Sequence, residues 1–349
     1  MTAAFRGADV ESHPRISRRR VVVTVLLFPV AAVALYLLLP RLAGLDDTWG
    51  RVRDGDPLWL AAAVGLEVAE YACYIVVFRS VLARPPSWLG LRECGLISIA
   101  GVAATRVLGA GGAGGIALTV WALRRSGLPS RMVGTRMTAF MVVLYGVFMI
   151  ALVVGGFGLY TGLLPGPAPF GLTVVPAVFG AAVIAVALLL ALVPHDLAAR
   201  DHGRRLVRWL AVGSATVGDG VREALRLVGA REWRAIAAAA GWWGFDIAVL
   251  WACLQAFGGS PPVTVVVMAY FIGILGNLLP LPAGISGAMI GTLIGFGVPG
   301  GLAITAVVAH RAFSYWLPTL PGIAAYLRLL RDVRGWGPGG TPISLSSRS

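Results

Sequence analysis

The stretch Asn277-Leu-Leu-Pro-Leu-Pro-Ala-Gly-Ile-Ser-Gly287, followed by Arg311, decides the fold. Between Arg234 and Arg311 the only formally charged residue is Asp246. Into that apolar tract the chain places Pro280, Pro282, Gly284 and Gly287 as helix breakers. A backbone facing lipid does not tolerate such a break, because the freed N–H and C=O groups find no partner there. Broken backbone at membrane depth survives where protein or a wet cavity covers it. Transporters build their sites at such places. A single kinked span is the blander alternative.

The composition fits a membrane setting. The chain has 349 residues, is 58% hydrophobic and 13% charged, and has a mean hydropathy of +0.82. Several apolar runs reach the roughly 20 residues that cross a bilayer. A polytopic integral membrane protein of one domain is expected over residues 1–349. The net charge of +13 comes from arginine, since the chain contains no lysine. In a soluble protein that charge would suggest nucleic acid. Here the arginines punctuate apolar runs, which points to cytoplasmic loops and anionic headgroups instead. Cys73, Cys94 and Cys253 are far apart and have no metal-ligand spacing.

In chain order, Arg15, Arg18, Arg19 and Arg20 precede the apolar run Val21–Leu39, read as a retained first span with its N-terminus inside. A second span covers about Leu58–Phe78. It holds Glu67 and Glu70, spaced to share a helix face. Carboxylates inside a membrane point to function; a place near the headgroups, or pairing with an arginine, is the alternative. Gly95–Leu123 is too short for two crossings, has arginines on both flanks, and contains Gly109-Ala-Gly-Gly-Ala-Gly-Gly115 at its middle. A re-entrant hairpin is the economical reading, with Arg106 just before its tip. Met137–Gly158 and Leu172–Val193 then cross outward and back. Residues 194–234 form a basic cytoplasmic connector with two amphipathic pieces. Ile236–Phe257 crosses with Asp246. A second hairpin turns at the Pro/Gly break, and the last span, about Ala303–Tyr326, ends inside. Three full spans in place of the hairpin and last span would give the same parity.

The expected fold is therefore all-α, with about six full spans and two oppositely oriented re-entrant hairpins. The half from about 58 to 158 and the half from about 236 to 327 contain the same three elements with opposite topology, an inverted repeat. The expected location is the cell membrane, multi-pass, with both termini cytoplasmic.

Leu278-Leu-Pro-Leu-Pro-Ala-Gly-Ile-Ser-Gly287, Phe296-Gly-Val298 and Ala309-His-Arg-Ala-Phe-Ser-Tyr-Trp-Leu-Pro318 resemble the lysylphosphatidylglycerol synthase transmembrane-region family of flippase-like proteins. The glycine hairpin followed by Leu123-Arg-Arg-Ser-Gly-Leu128 resembles that family's first-half motif. The resemblance covers roughly Leu58–Leu330 and implies movement of a lipid or lipid-linked headgroup between leaflets. It does not imply synthase activity, because this chain leaves no room for an aminoacyl-transfer domain. Many members carry a Glu shortly after the Pro/Gly motif, where this chain has Met289.

Arginine suits a lipid phosphate, because its planar fork stays charged and matches phosphate oxygens. The expected substrate contacts are Arg106, Gly111, Gly112, Gly114, Gly115, Pro280, Pro282, Gly284, Ser286, Gly287 and Arg311. Glu67, Glu70, Asp246 and His310 are candidates for ion coupling or ion pairing. The two arginines, with few carboxylates nearby, would leave positive charge for an anion; Asp246, Glu67 and Glu70 are the competitors, and their pairing with the arginines would make a closed structural network instead. The expected partner is a membrane phospholipid or lipid-linked substrate, with no nucleic acid, cofactor or metal. An integral membrane enzyme or regulator acting on lipid phosphate in envelope assembly is the competing reading. No HExxH, paired-Asp motif or nucleophile elbow supports catalysis.

Overall fold

The computed structural model describes residues 55–85, 87–108, 113–192, 205–230, 232–276 and 284–336. Side chains of residues 106–108, 113, 205–212, 316 and 334 are outside that description. Among the described residues ten α-helices follow one another: α1 Pro57–Val81, α2 Leu91–Leu108, α3 Ala113–Arg125, α4 Ser130–Tyr160, α5 Phe170–Leu192, α6 Arg205–Gly229, α7 Trp233–Ala256, α8 Val263–Leu275, α9 Gly284–Gly295 and α10 Gly300–Asp332. No strand occurs among the described residues. Helices α1, α4, α5 and α7 are long and apolar enough to cross a membrane. Helices α8 and α9 are apolar but short, with 13 and 12 residues. At 1.5 Å per residue each covers about 20 Å, less than the hydrocarbon thickness of about 30 Å. The expected first span, Val21–Leu39, lies outside the described residues.

The helix ends follow from local chemistry. Asp56 starts α1, its Oδ1 accepting the Leu58 N–H at 2.8 Å, with Pro57 in the first turn. Helices α3 and α9 end alike. Gly127 and Gly297 take left-handed backbone, with φ of 92° and 91°. The N–H of the next residue, Leu128 or Val298, then reaches back to the carbonyl of Leu123 or Leu293. This is a Schellman closure, which favours glycine because a Cβ would clash. A proline follows in both cases, Pro129 before α4 and Pro299 before α10.

Helices α2 and α3 fold back on one another, as do α8 and α9. A Cβ on Gly115 would lie 2.5 Å from the Gly101 carbonyl oxygen, and one on Gly276 would lie 2.5 Å from that of Gly284. The two pairs open at opposite ends of the molecule. Trp88, just before α2, donates from Nε1 to the Ser126 carbonyl just after α3. Arg136 binds the carbonyls of Leu82, Arg84 and Pro85 at the same end. At the other end, Thr264 near the start of α8 donates to the Pro165 carbonyl. Gly295, the last residue of α9, lies against Leu172 of α5.

Packing follows an exchange pattern. Helix α1 lies along α7; α10 packs on α2, and α4 packs on α8. The expected connector pieces are one continuous 25-residue helix, α6, lying on α4 and α5. Its Gly218 abuts the Leu190 carbonyl, and Arg222 donates to the Ala191 carbonyl at 2.6 Å. Contact with other helices along its apolar face replaces the two-piece reading: Val221, Ala224 and Leu227 are buried there.

Candidate functional site

The site begins in the seam between α1 and α7. Asp56 N–H donates to the Ala256 carbonyl at 2.9 Å, and Trp59 meets Trp251 edge-on at 5.1 Å. Further along, a Cβ on Gly241 would approach Cys73 Sγ to 2.8 Å, and Tyr74 packs on Trp242 at 5.3 Å. This antiparallel register sets Glu67 opposite Asp246. One carboxylate oxygen from each of Glu67, Glu70 and Asp246 lies within 4.8 Å of the others. Glu67 is 1% exposed and Glu70 4%. Charge this concentrated away from water must be offset by protons or cations. Hard cations favour such oxygens, but both Asp246 oxygens already accept hydrogen bonds.

Three helices of the second half complete the cluster. From α8, the Tyr270 hydroxyl donates to Asp246 Oδ2. From α10, His310 Nε2–H donates to Asp246 Oδ1 at 2.7 Å. His310 is 1% exposed, whereas the Asp246 side chain keeps 16% of its surface open. The next residue, Arg311, donates from Nε to Ser286 Oγ of α9 at 3.3 Å. Its guanidinium also acts electrostatically on Asp246. Trp243 anchors this part of α7, donating from Nε1 to the Leu144 carbonyl of α4 at 2.8 Å. Phe148 and Phe271 stack around its ring. An acid, a base, a phenol and a guanidinium therefore share one buried centre, able to hold and exchange protons.

The structure thus brings together Glu67, Glu70, Asp246, His310, Ser286 and Arg311. The carboxylates of Glu67, Glu70 and Asp246 gather in this centre, where they compete with an anion for the charge of Arg311. Gly114 and Gly115 lie in the first turn of α3 and are buried, with Gly115 against Gly101. Gly115 lets α2 and α3 lie close together, and both glycines belong to the helix. Gly284 and Gly287 likewise belong to helix α9. Gly287 is exposed, and a Cβ there would meet nothing within 4 Å. Arg106 is on helix α2 with its side chain outside the described residues, and Gly111, Gly112, Pro280 and Pro282 are outside them altogether. Tyr270 was not anticipated. Its signal was a lone phenol in the apolar arm Val263–Leu275, where a buried hydroxyl needs a partner.

The sequence pattern of the lysylphosphatidylglycerol synthase TM region matches residues 21–322. A UPF0104 membrane protein from Methanothermobacter thermautotrophicus (strain Delta H) is 37% identical over 89 residues, covering 24% of this chain and 25% of that protein. The aligned part thus spans about a quarter of that relative's length.

Proposed function

Because the chain belongs to the lysylphosphatidylglycerol synthase TM-region family, we propose that it moves an anionic lipid or lipid-linked headgroup between membrane leaflets. The observation that carries this is Arg311, held by Ser286 beside the Asp246–His310 pair. A guanidinium fixed within a helical membrane protein suits a phosphate passing through a wet groove. Asp246 and Gly287 keep open surface, giving a headgroup room to approach.

The opposed helix pairs support re-entrant hairpins within an inverted repeat, a plan that permits alternating access about one site. The equal closures at Gly127–Pro129 and Gly297–Pro299 support it as well, because they occupy equivalent joints. The arginines at Arg84, Arg92, Arg131 and Arg136 favour placing the mouth of the first pair in the cytoplasm.

A second reading, an enzyme acting on lipid phosphate, draws on Asp246 and His310, which form the orienter and base of a general-base pair. Nucleophilic catalysis also needs a hydroxyl or thiol on the other imidazole nitrogen. His310 Nδ1 has no hydrogen-bond partner among the described residues.

The test is reconstitution of the full chain in phosphatidylcholine vesicles with a trace of fluorophore-labelled phosphatidylglycerol. An external quencher should bleach the inner-leaflet label with wild type, and only the outer half with Arg311→Ala. A wild type that leaves the inner half protected rejects movement of this lipid. Altered headgroup masses in the recovered lipid would favour the enzyme.

A further inference from the structure

His310 is the least expected side chain in the centre. It is 1% exposed, in a helix rich in Ala and Leu. Its two ring nitrogens are used unequally. Nε2 bonds Asp246 Oδ1 at 2.7 Å. Nδ1 is buried and finds no hydrogen-bond partner among the described residues. With the hydrogen on Nε2, as the bond to Asp246 requires, Nδ1 carries an open lone pair. A buried acceptor left without a donor is costly, so this nitrogen needs a reason to be there.

We propose that lipid movement at this site is coupled to protons bound and released at Nδ1 of His310, with Asp246 as the fixed counter-charge. This rests on the transport reading above. In the step, the site opens to one side and admits water to the buried Nδ1, a proton bonds to its lone pair, and imidazole becomes imidazolium. No bond to carbon changes and no electron is transferred. Release returns the proton to water on the other side and restores the neutral ring. Asp246 keeps its charge because both its oxygens are engaged, Oδ1 by His310 and Oδ2 by Tyr270. The proton therefore goes to the ring and not to the carboxylate. Histidine suits the task, because its ordinary titration falls in the physiological range.

The coupling arises from neighbourhood. Protonated His310 adds a second positive charge one residue from Arg311, so proton and phosphate favour each other's binding. Linkage makes that effect reciprocal. Among the described residues, the charged and titratable groups of the centre are Asp246 on α7, Glu67 and Glu70 on α1, Tyr270 on α8, and Arg311 on α10 itself, with Cys253 on α7 beside Glu67 and Asp246. Helix α9 contributes no titratable side chain. Helix α2 carries Arg92, Glu93 and Cys94 in its first turns, and the Arg106 side chain is outside the described residues.

Two measurements test this. In the vesicles already described, a one-unit pH gradient with one proton per lipid should hold the labelled phosphatidylglycerol about tenfold unequal between leaflets. His310→Gln should bring that ratio to about one, whatever its rate. Wild type that equilibrates the lipid evenly under the gradient, or His310→Gln that keeps the asymmetry, overturns the proposal. The second measurement does not need transport. The chain has four histidines, and replacing His13, His195 and His202 by Asn leaves His310 alone. Nitrogen-15 NMR of that purified protein should show the Nδ1 signal moving from unprotonated to imidazolium as pH is lowered from 9 to 5, and Asp246→Asn should change where it moves. A signal unchanged over that range rejects proton binding at His310. Absence of lipid movement with a titrating His310 instead rejects the transport reading for this lipid.

Discussion

The helix pairs α2/α3 and α8/α9 have the same construction and different surroundings. In each, glycine lets one arm lie on a carbonyl of the other, at Gly115 on Gly101 and at Gly276 on Gly284. In each, the second arm closes with a left-handed glycine, a buried apolar residue and a proline before a long helix. The α8/α9 pair adds Tyr270 and Ser286, which bond to Asp246 and Arg311. The hydrogen bonds described for α2/α3 tie the pair to itself and to the neighbouring loop, as Thr105 to the Gly101 carbonyl and Trp88 to the Ser126 carbonyl. Helix breakers and glycines therefore report where a chain turns or packs. Polar side chains inside the arms report where it acts.

That contrast should separate loss of function from loss of fold. Arg311→Ala should lower labelled-lipid movement about 10- to 100-fold, the value of one to two charge-assisted hydrogen bonds, with folded yield unchanged. Arg311→Lys should recover part of it, because the charge remains and the fork is lost. A full rate for Arg311→Ala in the quenching assay would make the two pairs equivalent packing devices.

The glycines should behave in the opposite way. Gly115→Val forces its Cβ against Thr105 Oγ1 and the Gly101 carbonyl, so a loss of about 1–3 kcal/mol is expected. Gly276→Ala meets the Gly284 carbonyl in the same manner. Gly287→Ala has open space and should keep stability within about 0.5 kcal/mol, while reducing lipid movement if a headgroup passes there. Thermal unfolding in detergent, read beside transport, distinguishes the three. Equal melting of all three variants would remove the distinction between packing and clearance.

Within the centre, Asp246→Ala strands the Tyr270 hydroxyl and His310 Nε2, at about 1–3 kcal/mol for each buried group. Tyr270→Phe removes a single bond and should cost about 0.5–1.5 kcal/mol. A double-mutant cycle showing no coupling between Asp246 and Tyr270 would dissolve the network. The smallest perturbation is a label. With Cys73, Cys94 and Cys253 replaced, Ser130→Cys should react with an impermeant reagent from inside only, and Leu163→Cys from outside only. Both positions are exposed at opposite ends of α4. Reaction of both from the same side would contradict the opposed mouths.

Much of the helical plan was legible in the chain. Arginine placement and apolar runs located α1, α4, α5, α7 and α10 to within a few residues at most ends, because hydrophobic length is set by the bilayer. Gly115 and Gly287 were read alike as tip residues, although one packs on Gly101 and the other faces space; composition does not encode what a glycine touches. The paired closures Gly127-Leu-Pro129 and Gly297-Val-Pro299 are visible as letters, but three residues in each half gain meaning once the backbone sets them at equivalent joints. Glu67 and Asp246 are distant in sequence, and their meeting depends on the register of α1 on α7. Periodicity within one helix does not contain that register.

The same seam has a mechanical consequence. Gly241 against Cys73 leaves no room for bulk between α1 and α7, and the Asp56 to Ala256 bond pins one end. At the other end, Arg136 ties the close of α1 to α4. A joint held in this way resists sliding and leaves turning about its own length as the easier motion. The carboxylates sit near the middle of that axle, not at either mouth. Under the proposed alternating access, a gain or loss of charge there falls between the two openings, so one chemical event at the pivot would bear on both.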